Sequence, residues 1–184
     1  MSDSFFYTSV KDPLATPLLE ELLFEYDSRY GTFFNAEGAK AELNKYPAEA
    51  FSPPSGNFLL LLRDGKAIAG GAFMRYDDET AEFKRVWTHS AHRRQGLAKI
   101  VLRELEQQAI RQGYARVYLT TGFRQPEAVG LYLTNGYRAL FDTAADPETI
   151  RSLPFEKFLS DTATSIPDGA PIQAARPQLS PAHP

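Results

Sequence analysis

The sequence predicts an α/β (α+β) domain with a mixed central sheet of about six to seven strands flanked by about four helices. Three observations lead there. The turn Arg93-Arg94-Gln95-Gly96-Leu97-Ala98 joins a strand-like run, Ala81 to Thr88, to a long amphipathic helix. The apolar runs Phe58 to Leu62 and Ala67 to Tyr76 are linked by Arg63-Asp64-Gly65-Lys66, and Asp-Gly is a strong hairpin signal. A second strand, loop and helix then follow between Arg116 and Asn135.

Phe5 to Val10 alternates enough for a first strand. Pro13 to Tyr30 carries Leu14, Leu18, Leu19, Leu22, Leu23 and Tyr26 at helical spacing, with Pro at its start and Gly31 just past its end. Ala36 to Tyr46 reads as a shorter helix, and Pro47 to Asn57, with three prolines, as a loop. The helix from Gly96 runs to Gln112 with Leu97, Val101, Leu102, Leu105 and Ile110 inward and Gly113 as its stop. Arg116 to Thr121 is a strand and Pro126 to Asn135 a helix, and Ala139 to Phe141 and Pro154 to Leu159 close the sheet. These elements define one domain over 1–159. Residues 160–184 are Pro-rich, and 161–184 lack aromatic side chains, which predicts a disordered tail or an arm docking on a second subunit of a homodimer.

At 184 residues and 43% apolar content the chain suits one well-buried core. No apolar run approaches the ~18–20 residues of a membrane span, and Met1-Ser2-Asp3-Ser4 lacks a basic signal flank, so the expected location is the cytoplasm. The chain has no cysteine, which excludes disulfides, thiolate metal sites and a Cys nucleophile, and its three histidines show no metal-ligand spacing. A net charge of −3 argues against general nucleic-acid binding.

The basic turn is suited to an anion. The first N–H groups of a helix lack partners within it, and aligned peptide dipoles leave roughly half a positive charge there. Gly96 lets a phosphate approach the backbone, and Arg93, Arg94 and Lys99 surround it with charge. An ordinary helix start with solvated arginines has the same pattern.

From Glu82 to Tyr137 the chain resembles the GNAT superfamily of acetyl-CoA-dependent N-acetyltransferases. Arg93, Gly96 and Ala98 match the family's Gln/Arg-x-x-Gly-x-Gly/Ala signature. A strand (Arg116 to Thr121), a loop (Gly122 to Gln125), a helix carrying Tyr132 and the closing pair Gly136-Tyr137 follow in the family's order. The resemblance implies a mostly antiparallel mixed sheet and acetyl-CoA as cosubstrate. It implies pantetheine contacts from the backbone of Val86, Trp87 and Thr88, a strand-like pairing natural to an amide-bearing arm. The pyrophosphate belongs by the same resemblance on the amides of Arg94, Gln95, Gly96, Leu97 and Ala98, with Lys99 nearby. Separation of the Val86 strand from Leu119 to Thr121 would open a slot for the thioester, where a strand-end N–H could polarise the carbonyl.

Tyr132 is the implied general acid for the departing thiolate. A phenol of pKa about 10 protonates a thiolate of pKa about 8.5 only slightly uphill; the other reading of Tyr132 is a core aromatic. Glu82 is a candidate general base acting through water, or half of a solvated pair with Lys84. Gln125 stands where many members place a pantetheine-binding Asn; it has the same amide groups on a longer arm. Tyr26, Arg29 and Tyr30, near Phe33 and Phe34, suit a small acceptor bearing a carboxylate, or else a core edge with a surface charge. Arg85 is a surface charge or a clamp for such a carboxylate. His89 and His92 read as solvated.

The resulting expectation is an N-acetyltransferase acting on the primary amine of a small molecule or peptide, without metal. A CoA-binding sensor or assembly module that transfers nothing is the rival, and it would not need Tyr132 and Glu82.

Overall fold

The computed structural model describes residues 2–159, so the tail at 160–184 lies outside the described residues. Seven strands form one sheet: β1 (Asp3–Tyr7), β2 (Asn57–Arg63), β3 (Lys66–Arg75), β4 (Thr80–Thr88), β5 (Arg116–Gly122), β6 (Arg138–Ala139) and β7 (Ser152–Phe158), in the order β1-β2-β3-β4-β5-β7-β6. The β4–β5 pair is parallel and the other pairs are antiparallel. Five helices accompany it: α1 (Thr16–Tyr30), α2 (Ala39–Leu43), α3 (Leu97–Arg111), α4 (Pro126–Thr134) and the single turn α5 (Pro147–Ile150).

Helices cover both sheet faces, which is why β2 and β3 read as near-continuous apolar runs. Along β2, Leu59 and Leu61 enter a core with Val101, Leu102 and Leu105 of α3 and Tyr132 of α4. Phe58 and Leu60 enter a second core with Leu18 and Leu22 of α1, Phe51 and Trp87. The Asp-Gly turn closes the β2–β3 hairpin with Asp64 at φ 52° and Gly65 at φ 76°, the left-handed conformations such a turn requires. Gly71 lets α3 approach closely, since a Cβ there would stand 2.8 Å from Leu105 Cδ1.

Several elements differ from the sequence reading. The first strand is Asp3–Tyr7, not Phe5 to Val10, because the Asp12 side chain accepts from Thr8 Oγ1 and Leu14 N and draws that stretch into a turn. A 3-10 turn, Pro13–Ala15, precedes α1, and α2 is only five residues long. The Pro-rich loop contains a 3-10 turn, Ala48–Phe51, that buries Phe51. In α3, Ile110 is only half-buried while Glu106 is buried; Glu106 accepts from Tyr137 Oη at 2.8 Å and Lys157 Nζ at 3.0 Å, so it is paired in place.

Candidate active site

The site begins where β4 leaves β5. Their parallel ladder has three pairs, Thr80–Arg116, Ala81–Val117 and Glu82–Tyr118. Beyond Glu82 the strands are not paired among the described residues, while Leu119 to Thr121 continue along β7. On its other side β4 carries a bulge. Gly70 faces Trp87 and Ala72 faces Lys84, so Arg85 and Val86 together oppose one residue of β3. Arg85 sits there at φ 61°, a conformation long side chains rarely adopt.

At the far end of β4 a short 3-10 turn, Ser90–His92, leads into the basic loop. Arg93, Arg94, Gln95 and Gly96 are exposed; Arg94 has φ 65° and Gly96, the N-cap of α3, has φ 73°. Neither a capping side chain nor an acidic residue occupies the first turn of α3, whereas Asp146 caps α5. The amides of Leu97, Ala98 and Lys99 therefore keep the donor character of a helix start. Gln95 accepts from Arg63 Nη1 through its side-chain oxygen at 3.1 Å.

Glu21 of α1 organises this end, and no sequence signal marked it. Its carboxylate accepts from Trp87 Nε1 at 2.9 Å, Ser90 N at 2.9 Å and Ser90 Oγ at 2.6 Å. Burial works to raise its pKa, but the bonds from Ser90 and Trp87 outweigh it and hold the carboxyl below its ordinary value. Trp87 is buried, so its side chain belongs to the core and only its backbone is offered at the strand edge. Thr88 is half-buried beside it. His89 accepts from Ala91 N through Nδ1, and its ring packs against His92, a local cap for the turn.

A cavity of about 700 Å³ opens at the β4–β5 separation, lined by strand residues on one side and by the α1–α2 segment on the other. Tyr26, Tyr30, Arg85, Val86, Gln125 and Tyr132 line it; Arg29 and Glu82 do not. Arg29 instead pairs with Glu25 and Glu127 and donates to the Arg124 carbonyl, tying the end of α1 to the start of α4. Glu82 is buried and meets Lys84 Nζ at 3.2 Å, and it is Lys84 that reaches the cavity.

Tyr132 packs its ring against Tyr137 and Phe155, with centroids 5.5 Å away in each case. Its hydroxyl has no hydrogen-bond partner among the described residues. Burial, reinforced by the nearby Tyr26, raises its pKa above the ordinary phenol value. Gln125 is committed through its side-chain oxygen, which accepts from Tyr30 Oη at 3.0 Å, Gly122 N at 3.1 Å and Thr121 Oγ1 at 3.3 Å. Gly122 makes this possible, since a Cβ there would stand 2.1 Å from Tyr30 Oη. It is the amide nitrogen of Gln125, not its oxygen, that these bonds leave uncommitted.

Burial pushes the phenols of Tyr26 and Tyr46 from 10.0 up to about 12; nearby carboxylates add to it, while Arg85 works against it at both. Folding therefore tightens their hold on the proton. Their contribution to stability is complete below pH 10 and is lost as pH rises from 10 towards about 12. The melting temperature should fall across that window, with native phenolate absorbance lagging that of the unfolded chain. Coincident native and unfolded titrations would contradict this.

Comparison with known proteins fits this architecture. The family model described as the Acetyltransferase (GNAT) family matches residues 18–137, and the chain belongs to that family. It is 42% identical over 67 residues to N-acetyltransferase 8 of Homo sapiens, covering 34% of this chain and 30% of that protein. It is 38% identical over 60 residues to the uncharacterized N-acetyltransferase YsnE of Bacillus subtilis strain 168, covering 32% of this chain and 40% of that protein. The chain thus spans well under half the length of these curated relatives.

Solved structures share the fold. An acetyltransferase of the GNAT family from Staphylococcus aureus MU50 superposes with a TM-score of 0.67 at 16% identity, over 86% of this chain and 100% of that one. The PaiA N-acetyltransferase of Thermoplasma acidophilum, solved in complex with coenzyme A, gives 0.62 at 20% identity, over 86% and 99%. A GNAT family acetyltransferase from Elizabethkingia anophelis with acetyl-CoA bound gives 0.59 at 15% identity, over 85% and 97%. Among the described residues no helix is long and apolar enough to cross a membrane, and no cluster of metal-ligating side chains occurs.

Proposed function

We propose that this protein transfers an acetyl group from acetyl-CoA to the primary amine of a small molecule, by direct attack of the amine on the thioester. The observation that carries this reading is the short β4–β5 ladder, which leaves a strand edge unpaired beside an aromatic-lined cavity. Acetyl-CoA, when bound, supplies an activated acyl carbon and a thiolate leaving group. The backbone of Val86, Trp87 and Thr88 would pair with the amides of the pantetheine arm as an added strand would. The unpartnered amides at the start of α3, with Gly96, Arg93, Arg94 and Lys99, would hold the pyrophosphate. Gln125 would add its amide nitrogen at the other side of the arm.

The remaining chemistry is proton handling and charge stabilisation. A backbone N–H on the separated β4 edge would polarise the thioester oxygen. Tyr132, which lines the cavity, would donate its hydroxyl proton to the thiolate. The ammonium form of the acceptor must lose a proton first. Water in the cavity is the acceptor of that proton, with Glu82 acting on the cavity through Lys84 rather than by direct contact. The cytoplasm, with its acyl-CoA pool, is the compartment this reading implies.

Thiol release from acetyl-CoA with a pooled library of small amines tests the reading. Amine-dependent release above the rate of acetyl-CoA hydrolysis is expected. Tight CoA binding with no release for any amine would overturn it.

A further inference from the structure

Arg85 departs from every comparable arginine of the fold. Arg29, Arg63, Arg75, Arg111 and Arg116 are also half-buried, and each makes an ion pair with a carboxylate. Arg85 is half-buried and makes none among the described residues. What it has is a bond donated to the Leu43 carbonyl and a place over the Phe51 ring, 4.8 Å from its centroid. Burial lowers its pKa, and only the phenols of Tyr26 and Tyr46 act against that. A cation withdrawn from water without a counter-ion is costly, and a positive φ adds to the cost. The cavity is where an anion can reach it, since Arg85 lines the wall.

The rest of the wall agrees. Lys45 and Lys84 stand on it with Arg85, against the single carboxylate of Glu42. Glu82 already answers Lys84. Such a wall repels a diamine and draws in a molecule with at least one negative group. Tyr26, Tyr46 and Tyr118 supply the aromatic surface between these charges, and the volume of about 700 Å³ must hold the thioester end as well as the acceptor. Both limits favour something the size of a free amino acid.

We propose that the acceptor is an amine that also carries a carboxylate, of amino-acid size with an apolar or aromatic side chain, and that Arg85 binds that carboxylate. The proposal rests on the acetyl-transfer reading for its amine and on the lone guanidinium for its acid. The guanidinium offers a planar fork to a carboxylate, which a lysine does not reproduce. Arg85 is here a binding residue, and its effect belongs in KM.

The test compares amino acids with their decarboxylated counterparts, phenylalanine with phenethylamine and leucine with isoamylamine among the full set of natural amino acids, with putrescine as a dication. Thiol release is read for the wild type, Arg85→Gln and Arg85→Lys, and melting curves check folding. Binding of 3-phenylpropanoate, which has the carboxylate and no amine, is measured by calorimetry in the presence of CoA. At least one amino acid should exceed its decarboxylated partner by about tenfold or more in kcat/KM, as expected for a charge-assisted contact. Arg85→Gln should collapse that ratio through KM and abolish 3-phenylpropanoate binding, with Arg85→Lys intermediate; should the Gln variant not fold, the Lys variant decides. Preference for neutral or dicationic amines, an unchanged ratio in the variants, or neither turnover nor binding of any carboxylate would overturn the proposal. Arg85-dependent carboxylate binding without thiol release would leave this site standing and remove the acetyl-transfer reading instead.

Discussion

Gly96→Glu should weaken CoA binding by about a hundredfold or more while the protein still folds. A Cβ at Gly96 would meet nothing within 4 Å, so the side chain has room, but φ 73° penalises any L-residue there. That backbone cost is about 1 kcal/mol and is shared by Gly96→Gln, which has the same shape and no charge. The difference between the two variants therefore isolates electrostatics. A carboxylate about 4 Å from a phosphate charge costs on the order of 4 kcal/mol at a surface-like effective dielectric, about three decades of affinity before screening by salt. Calorimetry should find Gly96→Gln within about tenfold of wild type and Gly96→Glu without measurable binding. Raised salt should narrow the gap. Equal losses in both variants would assign the effect to backbone strain, and unchanged affinity in Gly96→Glu would move the pyrophosphate elsewhere.

What could be read ahead of the structure was local. Asp64-Gly65 calls for a turn with positive φ at both positions, and both have it. Gly31 and Gly113 end their helices with positive φ, as their place in the sequence indicated. Strand and helix boundaries in the central elements came within a residue or two because their apolar runs are long. The first strand and the second helix depart from their sequence patterns where short polar side chains compete for backbone donors; Asp12 takes Thr8 and Leu14 away from any strand.

The site was legible only in part, because much of it is tertiary. A basic loop before a helix is visible in the sequence, and so is the missing cap on α3, because its N-cap is Gly96, which has no side chain. Glu21 lies 66 residues before Trp87, and nothing on α1 distinguishes it from Glu20 or Glu25 until the indole donates to it. In the sequence Arg29 and Arg85 read alike, each as a surface charge or a contact for a carboxylate. Three-dimensional neighbours separate them, giving Arg29 two carboxylates and leaving Arg85 facing the cavity with no ion pair among the described residues. The bulge that turns Arg85 towards that wall depends on register with Gly70 and Ala72, and no local pattern encodes it.

Tyr132→Phe should lower turnover by about a hundredfold or more with little change in acetyl-CoA affinity, as for loss of a general acid. The substitution removes one oxygen. The ring contacts with Tyr137 and Phe155 remain, and no hydrogen bond among the described residues is broken, so the melting temperature should hardly move. Burial raises the phenol above its ordinary value, which by itself makes it a weaker acid. The same desolvation would raise the thiolate that this reading has it protonate, since both would lose charge stabilisation in one cavity, so the transfer would stay close to balanced. The sign of the pH dependence follows. The acid works while protonated, so its limb of the rate profile should lie above the ordinary tyrosine range, and wild-type turnover should persist through neutral and mildly alkaline pH. In Tyr132→Phe that alkaline limb should vanish, leaving only the rise that comes from deprotonating the amine. A variant with near-normal turnover under saturating amine would hand the proton to water. One that lost acetyl-CoA binding and stability together would make Tyr132 a core residue and nothing more.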